Sequence, residues 1–125
     1  MSSIKVWNCG AAPLSEDIAD LVEQRTAIPF REGYGMTETT CVICSTPQDN
    51  TKRGTVGILA PNMKVKFVNG ELFVKGPNIM KGYLQNPKAN AETFTKDGWM
   101  RTGDICRIDE DGDMFVVDRI KEVSI

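Results

Sequence analysis

The chain has 125 residues, with 15 Lys and Arg against 17 Asp and Glu, no His, four Cys and 41% apolar side chains. That length fits one compact domain needing no disulfide or metal staple, and the small mixed charge offers no basic patch for nucleic acid. Lack of His excludes Ser-His-Asp hydrolysis and His-bearing metal sites; with no run of roughly eighteen apolar residues and no signal-peptide layout, the chain reads as a soluble, intracellular, cytoplasmic protein with no membrane partner.

Alternation from Ile4 to Asn8 predicts a short strand that stops at Gly10-Ala11-Ala12-Pro13. Ser15 is then a suitable N-cap, Glu16 and Asp17 suit the positive end of a helix, and Leu14, Ile18, Leu21 and Val22 recur at helical spacing through about Arg25. Pro29 closes this unit, and Phe30 to Tyr34 returns as a strand parallel to the first, giving a right-handed β-α-β unit. Parallel sheets are normally covered on both faces, and no later helix is long enough to cover this one. The chain is therefore expected to be a piece of something larger, with exposed sheet edges open to self-association.

Cys41-Val42-Ile43-Cys44 is a CxxC, and Cys9 and Cys106 would complete a four-thiolate zinc site, but the second close pair of a zinc ribbon is missing. Alternation from Cys41 to Thr46 instead predicts a strand with Cys41 and Ile43 on one face, Val42 and Cys44 on the other, and reduced cysteines in the core. Beyond Asn50 the texture changes to turn-bounded strands at Thr55–Ile58, Met63–Val68, Glu71–Lys75, Trp99–Thr102, Ile105–Ile108 and Met114–Val117. Asn69-Gly70 is a two-residue hairpin signal, and Asp111-Gly112 repeats it. Asn86 caps one helix from there to Phe94, with Pro87 at its first position.

The expected fold is α+β: a short β-α-β unit over residues 1–47, a small, distorted, mainly antiparallel β-barrel over residues 48–118, and the start of a further region over residues 119–125. An EF-hand loop from Asp109 is ruled out, because Met114 and Ile120 stand where glycine and glutamate are needed, so Asp109–Asp113 reads as an exposed hairpin turn.

Two segments carry chemistry. In Gly33-Tyr34-Gly35-Met36-Thr37-Glu38 the glycines permit a tight bend and close ligand approach, Tyr34 presents a flat face, Thr37 offers a hydroxyl to phosphate and Glu38 a hard oxygen to Mg²⁺. A short G-x-G alone is weak evidence. In the segment Asp97 to Asp104, Asp104 follows a glycine at a strand end, where its carboxylate either accepts from two vicinal ribose hydroxyls or bonds its own turn. Asp118-Arg119 is either a solvated strand end or an arginine reaching ribose or phosphate.

Taken in order, Gly10-Ala11-Ala12-Pro13-Leu14, GYGMTE (Gly33 to Glu38), GELFVKGP with MKGY (Gly70 to Tyr83), DGWMRTGD (Asp97 to Asp104) and VDRIKE (Val117 to Glu122) resemble the adenylate-forming superfamily of acyl-CoA synthetases, coumarate-CoA ligases and luciferases. The resemblance implies that Gly10, Ala11 and Ala12 line adenine and the acyl pocket, with Gly33 and Gly35 in the core nucleotide motif. It implies that Tyr34 stacks on adenine, Thr37 holds the α-phosphate, Glu38 reaches Mg²⁺, and Asp104 and Arg119 bind ribose. Met36 and Val42 would face a small-molecule carboxylic acid, and Asp118 would be a hinge. The implied reaction is attack of a carboxylate on the α-phosphate of ATP, giving acyl-AMP and pyrophosphate, followed by displacement of AMP by CoA. The superfamily's phosphate loop, expected before Ile4, and its C-terminal domain with an adenylating lysine are not in this sequence, and Ile125 stands where a second lysine is expected. The isolated chain is accordingly expected to be inactive. The motifs favour acyl- or aryl-CoA ligases over peptide-synthetase adenylation domains. A luciferase-like enzyme and a non-catalytic AMP-binding or scaffolding fragment are the alternatives.

Overall fold

A computed structural model describes residues 3–50 and 52–120. In chain order its elements are β1 (Trp7–Cys9), α1 (Glu16–Thr26), β2 (Phe30–Tyr34), a 3-10 turn at Thr37–Thr39, β3 (Cys44–Ser45), β4 (Ile58–Leu59), β5 (Lys64–Val68), β6 (Glu71–Lys75), α2 (Pro87–Thr93), β7 (Met100–Ile108) and β8 (Met114–Arg119). They form two four-stranded sheets, ordered β1-β2-β3-β4 and β5-β6-β7-β8.

The helix begins where its cap directs. Ser15 Oγ accepts from the Ile18 N–H at 3.3 Å, and left-handed Ala27 (φ 55°) closes the far end on Glu23. Trp7 Nε1 donates to Thr26 Oγ1 at 3.2 Å and the Phe30 N–H donates to Glu23 Oε1 at 2.5 Å, which ties α1 to both flanking strands. β1 and β2 are parallel, with Trp7 opposite Phe30 and Cys9 opposite Glu32. The segments after both strands, Gly10–Ala12 and Gly35–Glu38, therefore leave the sheet at the same carboxyl edge, where open sheets bind ligands. The helix's expected buried stripe is largely uncovered: Ile18 is 51% and Leu21 45% exposed, and Ala19 is buried in their place. The β-α-β piece carries a single helix, so the apolar residues facing away from the sheet have nothing to bury against.

The strand expected from Cys41 shortens to Cys44–Ser45 because Thr40 (φ 52°) and Cys41 (φ 77°) take left-handed backbone that interrupts the alternation. Cys41 is exposed and Cys9 half-buried, so the expected core cysteines reduce to Cys44 and Cys106. Ile43 and Cys44 are both fully buried, since this stretch lies inside a cluster with Met63, Leu72, Val74, Met100 and Met114. All four cysteines are free, and among the described residues no three of them gather at metal-binding distance.

In the second sheet Val68 faces Glu71 across Asn69 (φ 52°) and Gly70 (φ 84°), the two positive angles a type I′ hairpin requires. The two strands expected at Trp99–Thr102 and Ile105–Ile108 are one, β7. Gly103 (φ 76°) absorbs the apparent break as a bulge, with register shifts against both neighbours. Asp104 consequently sits inside β7, opposite Arg119, rather than at a strand end. Thr55 to Gly57, expected as strand, meets Met114 through one bridge and two hydrogen bonds to its carbonyl, while Ile58–Leu59 turns to pair with β3. With β5 and β8 left as sheet edges, no closed barrel forms. The expected α2 is present, Asn86 Oδ1 accepting from the Ala89 N–H at 3.1 Å.

The acidic hairpin is exposed at Glu110, Asp111 and Gly112, as expected, but not along its whole length. Asp113 is buried, and Lys52 Nζ lies 2.7, 2.8 and 3.0 Å from Asp109, Asp111 and Asp113. Lys121 and Glu122, and with them the end of the last motif, lie outside the described residues. No described helix is long and apolar enough to cross a membrane.

Candidate functional site

Two groups of side chains gather at the carboxyl edge of β1 and β2. In the first, the Tyr34 hydroxyl at the end of β2 donates to Asp104 Oδ2 at 2.5 Å across 70 residues of sequence. Asp104 is 7% exposed, its N–H donates to Thr102 Oγ1 at 3.1 Å, and Arg119 Nε stands 3.8 Å from its other oxygen, Oδ1. Thr102 in turn donates to the Leu72 carbonyl at 2.8 Å, so the Gly103 bulge is pinned on both sides. Burial, together with the negative charge of Asp104 beside it, pushes the Tyr34 phenol well above its usual range. The ring hydroxyl is therefore a donor at every working pH.

The second group is the turn Gly35–Val42. Thr39 Oγ1 accepts from the Met36 N–H at 3.1 Å and donates to the Met36 carbonyl at 2.9 Å, winding one 3-10 turn that exposes Thr37 and leaves Glu38 half-buried. Residues 76–83 strap this turn down. Asn78 Nδ2 donates to the carbonyls of Thr39 and Val42 at 2.8 and 2.9 Å, Thr40 Oγ1 donates back to the Asn78 carbonyl at 2.8 Å, and the Met80 N–H donates to the Glu38 carbonyl at 2.9 Å. Tyr83 OH reaches Glu38 Oε1 at 3.3 Å.

Among the other expected site residues, Gly10 lies beside β2, where a Cβ would stand 3.6 Å from the Gly33 carbonyl, while Ala11 (φ 71°) and Ala12 are exposed just beyond. Met36 packs on the core and Val42 is exposed at the other end of the same turn. Asp118 is exposed and accepts from the Arg119 N–H. The structure thus joins Tyr34 to Asp104 and Arg119, and Glu38 to Tyr83, as two neighbouring sets. Two cavities, of about 130 Å³ beside Glu23 and Arg53 and about 200 Å³ beside Lys5 and Gln48, are lined by other residues. The sequence reading leaves out Asn78, Thr102 and Tyr83 as site-building residues; for Asn78 and Tyr83 the signal lies in the polar residues between Gly76 and Tyr83, and for Thr102 in the DGWMRTGD segment.

The family model described as AMP-binding enzyme matches residues 1–84. The chain belongs to this AMP-binding enzyme family. It is 43% identical over 138 aligned residues to the "Probable CoA ligase CCL5" of Humulus lupulus, covering 98% of this chain and 25% of that protein. Among solved structures, a malonyl-CoA ligase with methylmalonyl-CoA and AMP bound superposes with a TM-score of 0.82 at 35% identity, covering 94% of this chain and 27% of that one. The O-succinylbenzoate coenzyme A synthetase MenE of Bacillus subtilis, in complex with ATP and magnesium ion, gives a TM-score of 0.82 at 30% identity, covering 95% of this chain and 27% of that one. The chain spans about a quarter of the length of these AMP-binding relatives.

Proposed function

We propose that this chain supplies the adenosine and α-phosphate side of an ATP-dependent acid–CoA ligase. The observation that carries the reading is the convergence of Tyr34, Asp104 and Arg119, three residues from two sheets that present an aromatic ring, a hydrogen-bond acceptor and a cation together. In this reading Tyr34 stacks on adenine, Asp104 and Arg119 take the ribose, Thr37 donates to the α-phosphate, and Gly10, Ala11, Ala12, Gly33 and Gly35 admit the nucleotide to the backbone. Met36 and Val42 border the acid, and Asp118 is the hinge. The substrate carboxylate attacks the α-phosphorus, the bond to the bridging oxygen breaks, and pyrophosphate leaves; the CoA thiol then attacks the acyl carbon, loses its proton, and expels AMP. Glu38, a half-buried carboxylate, fits Mg²⁺, which when bound would neutralise charge on the phosphates. Positioning and charge stabilisation account for most of the rate in such chemistry, which a site without His can supply. The setting we propose is the cytoplasm.

The test is titration of AMP into the chain followed through Tyr34 by NMR, with Asp104→Ala as control. Stacking and the ribose contacts favour binding, while ordering costs offset much of it, so saturation is expected at millimolar AMP for the unsubstituted chain and a clear loss for the variant. Equal shifts in both would contradict the assignment.

A further inference from the structure

Asp104 is an aspartate almost wholly out of water whose carboxylate touches one group on each side: the Tyr34 hydroxyl on Oδ2 at 2.5 Å, and the Arg119 guanidinium 3.8 Å from Oδ1. An aspartate's terminal torsion is broad and roughly two-fold, so nothing in the side chain itself fixes the tilt at which the carboxylate plane faces outward. A short charge-assisted bond does fix it. The donor is held in turn by β2, where the Tyr34 carbonyl accepts from the Ile43 N–H at 2.8 Å, and the acceptor by the pinned bulge of β7. Tyr34 and Asp104 belong to different sheets, and their bond is a direct link between them.

We propose that the Tyr34 hydroxyl is a positioning group, turning the Asp104 carboxylate so that Oδ1, beside Arg119, is presented to the sugar hydroxyls of the nucleotide. This deepens the nucleotide reading given above and rests on it. The ring face and the hydroxyl of one residue then do separate jobs: the face meets the base, and the hydroxyl aims the acceptor that meets the sugar. Sugar selectivity is thereby tied to a residue that never touches the sugar.

The test titrates AMP and 3′-deoxy-AMP into the chain and into Tyr34→Phe, which keeps the ring and removes the hydroxyl. The unsubstituted chain should prefer AMP by about tenfold, the size of one charge-assisted hydrogen bond. In Tyr34→Phe that preference should fall below about threefold, because a freely turning carboxylate is a poorer acceptor for the 3′-hydroxyl while the ring that meets the base is kept. A preserved preference overturns the proposal, and so does an equal loss for both nucleotides, which marks a purely structural role. An unsubstituted chain that binds neither nucleotide, or both equally, removes the sugar assignment and the proposal with it. If Tyr34→Phe fails to fold, the unsubstituted chain still decides: the Tyr34 hydroxyl proton should stay in slow exchange when AMP saturates the chain, and its loss on binding overturns the proposal.

Discussion

Gly35 lies directly against the Cys41 carbonyl: a Cβ at Gly35 would come within 1.6 Å of that oxygen. The turn bearing Met36, Thr37 and Glu38 closes on itself at this point, and the contact is backbone to backbone, so no flexible side chain is available to yield. Gly35→Ala should therefore destabilise the chain by about 3 kcal/mol, the upper part of the overpacking range, as measured by denaturant unfolding. A loss below about 0.5 kcal/mol, the size of an ordinary surface substitution, would mean the turn opens freely.

The acidic hairpin should depend on pH through Lys52. Hydrogen bonding to Lys52 holds Asp109 below its usual carboxylate value, and the Asp109, Asp111 and Asp113 carboxylates raise Lys52 above its own. A lowered acid stabilises the fold above its unfolded pKa and loses that contribution as pH falls through the folded value. A raised base stabilises below its unfolded pKa and loses the contribution as pH rises through the folded one. The cluster should thus contribute fully between about pH 4 and pH 10 and less on either side. Lys52→Met should lower the melting temperature inside that window and bring the Asp109 titration, followed by carboxyl NMR, back up toward the ordinary value. An unmoved Asp109 would show that Lys52 does not organise the hairpin.

Thiol reactivity should separate Cys41 from Cys44 and Cys106. Burial pushes Cys44 and Cys106 up to about 12, so at pH 8 only about one part in 10⁴ is thiolate, whereas Cys41 is exposed. Iodoacetamide at pH 8 should label Cys41 first and spare Cys44 and Cys106 until the chain is unfolded, as read by peptide mass spectrometry. Early labelling of Cys44 would place β3 outside the core.

Much of the fold was legible because its signals are local. Ser15 caps α1, the Asn69-Gly70 pair turns β5 into β6, and Asn86-Pro87 starts α2, each within a few residues of its effect. What escaped is set by partners far along the chain. Gly103 reads as a strand end unless Glu71 and Leu72 are known to lie across from it. Lys52 carries no sequence sign that it will meet Asp109, 57 residues away. The left-handed backbone at Thr40 and Cys41 sits between two carbonyls, those of Thr39 and Val42, that are held by Asn78, 39 and 36 residues away. The candidate site followed the same division: GYGMTE put forward Tyr34 and DGWMRTGD put forward Asp104, but no spacing showed that these two side chains would meet.

In a ligase containing this segment, Glu38→Gln should lower acyl-adenylate formation by at least about 10²-fold, since a neutral amide replaces an anionic oxygen opposite developing phosphate charge. Thioester formation from supplied acyl-AMP should change far less, and chelating Mg²⁺ should reproduce the same split in the unsubstituted enzyme. Separate pyrophosphate-exchange and thioester assays read the two steps; equal losses in both would move Glu38 from metal binding to general structure.

The claim on which the rest depends is that adenosine is met at the carboxyl edge of β1 and β2. Intermolecular NOEs between AMP and the chain read this directly. NOEs are expected from the adenine protons to the Tyr34 ring, with the ribose protons close to the β7 strand around Asp104. Bound AMP whose NOEs run instead to Lys5, Val6 and Pro29, which line the larger cavity at the other end of these strands, would contradict it.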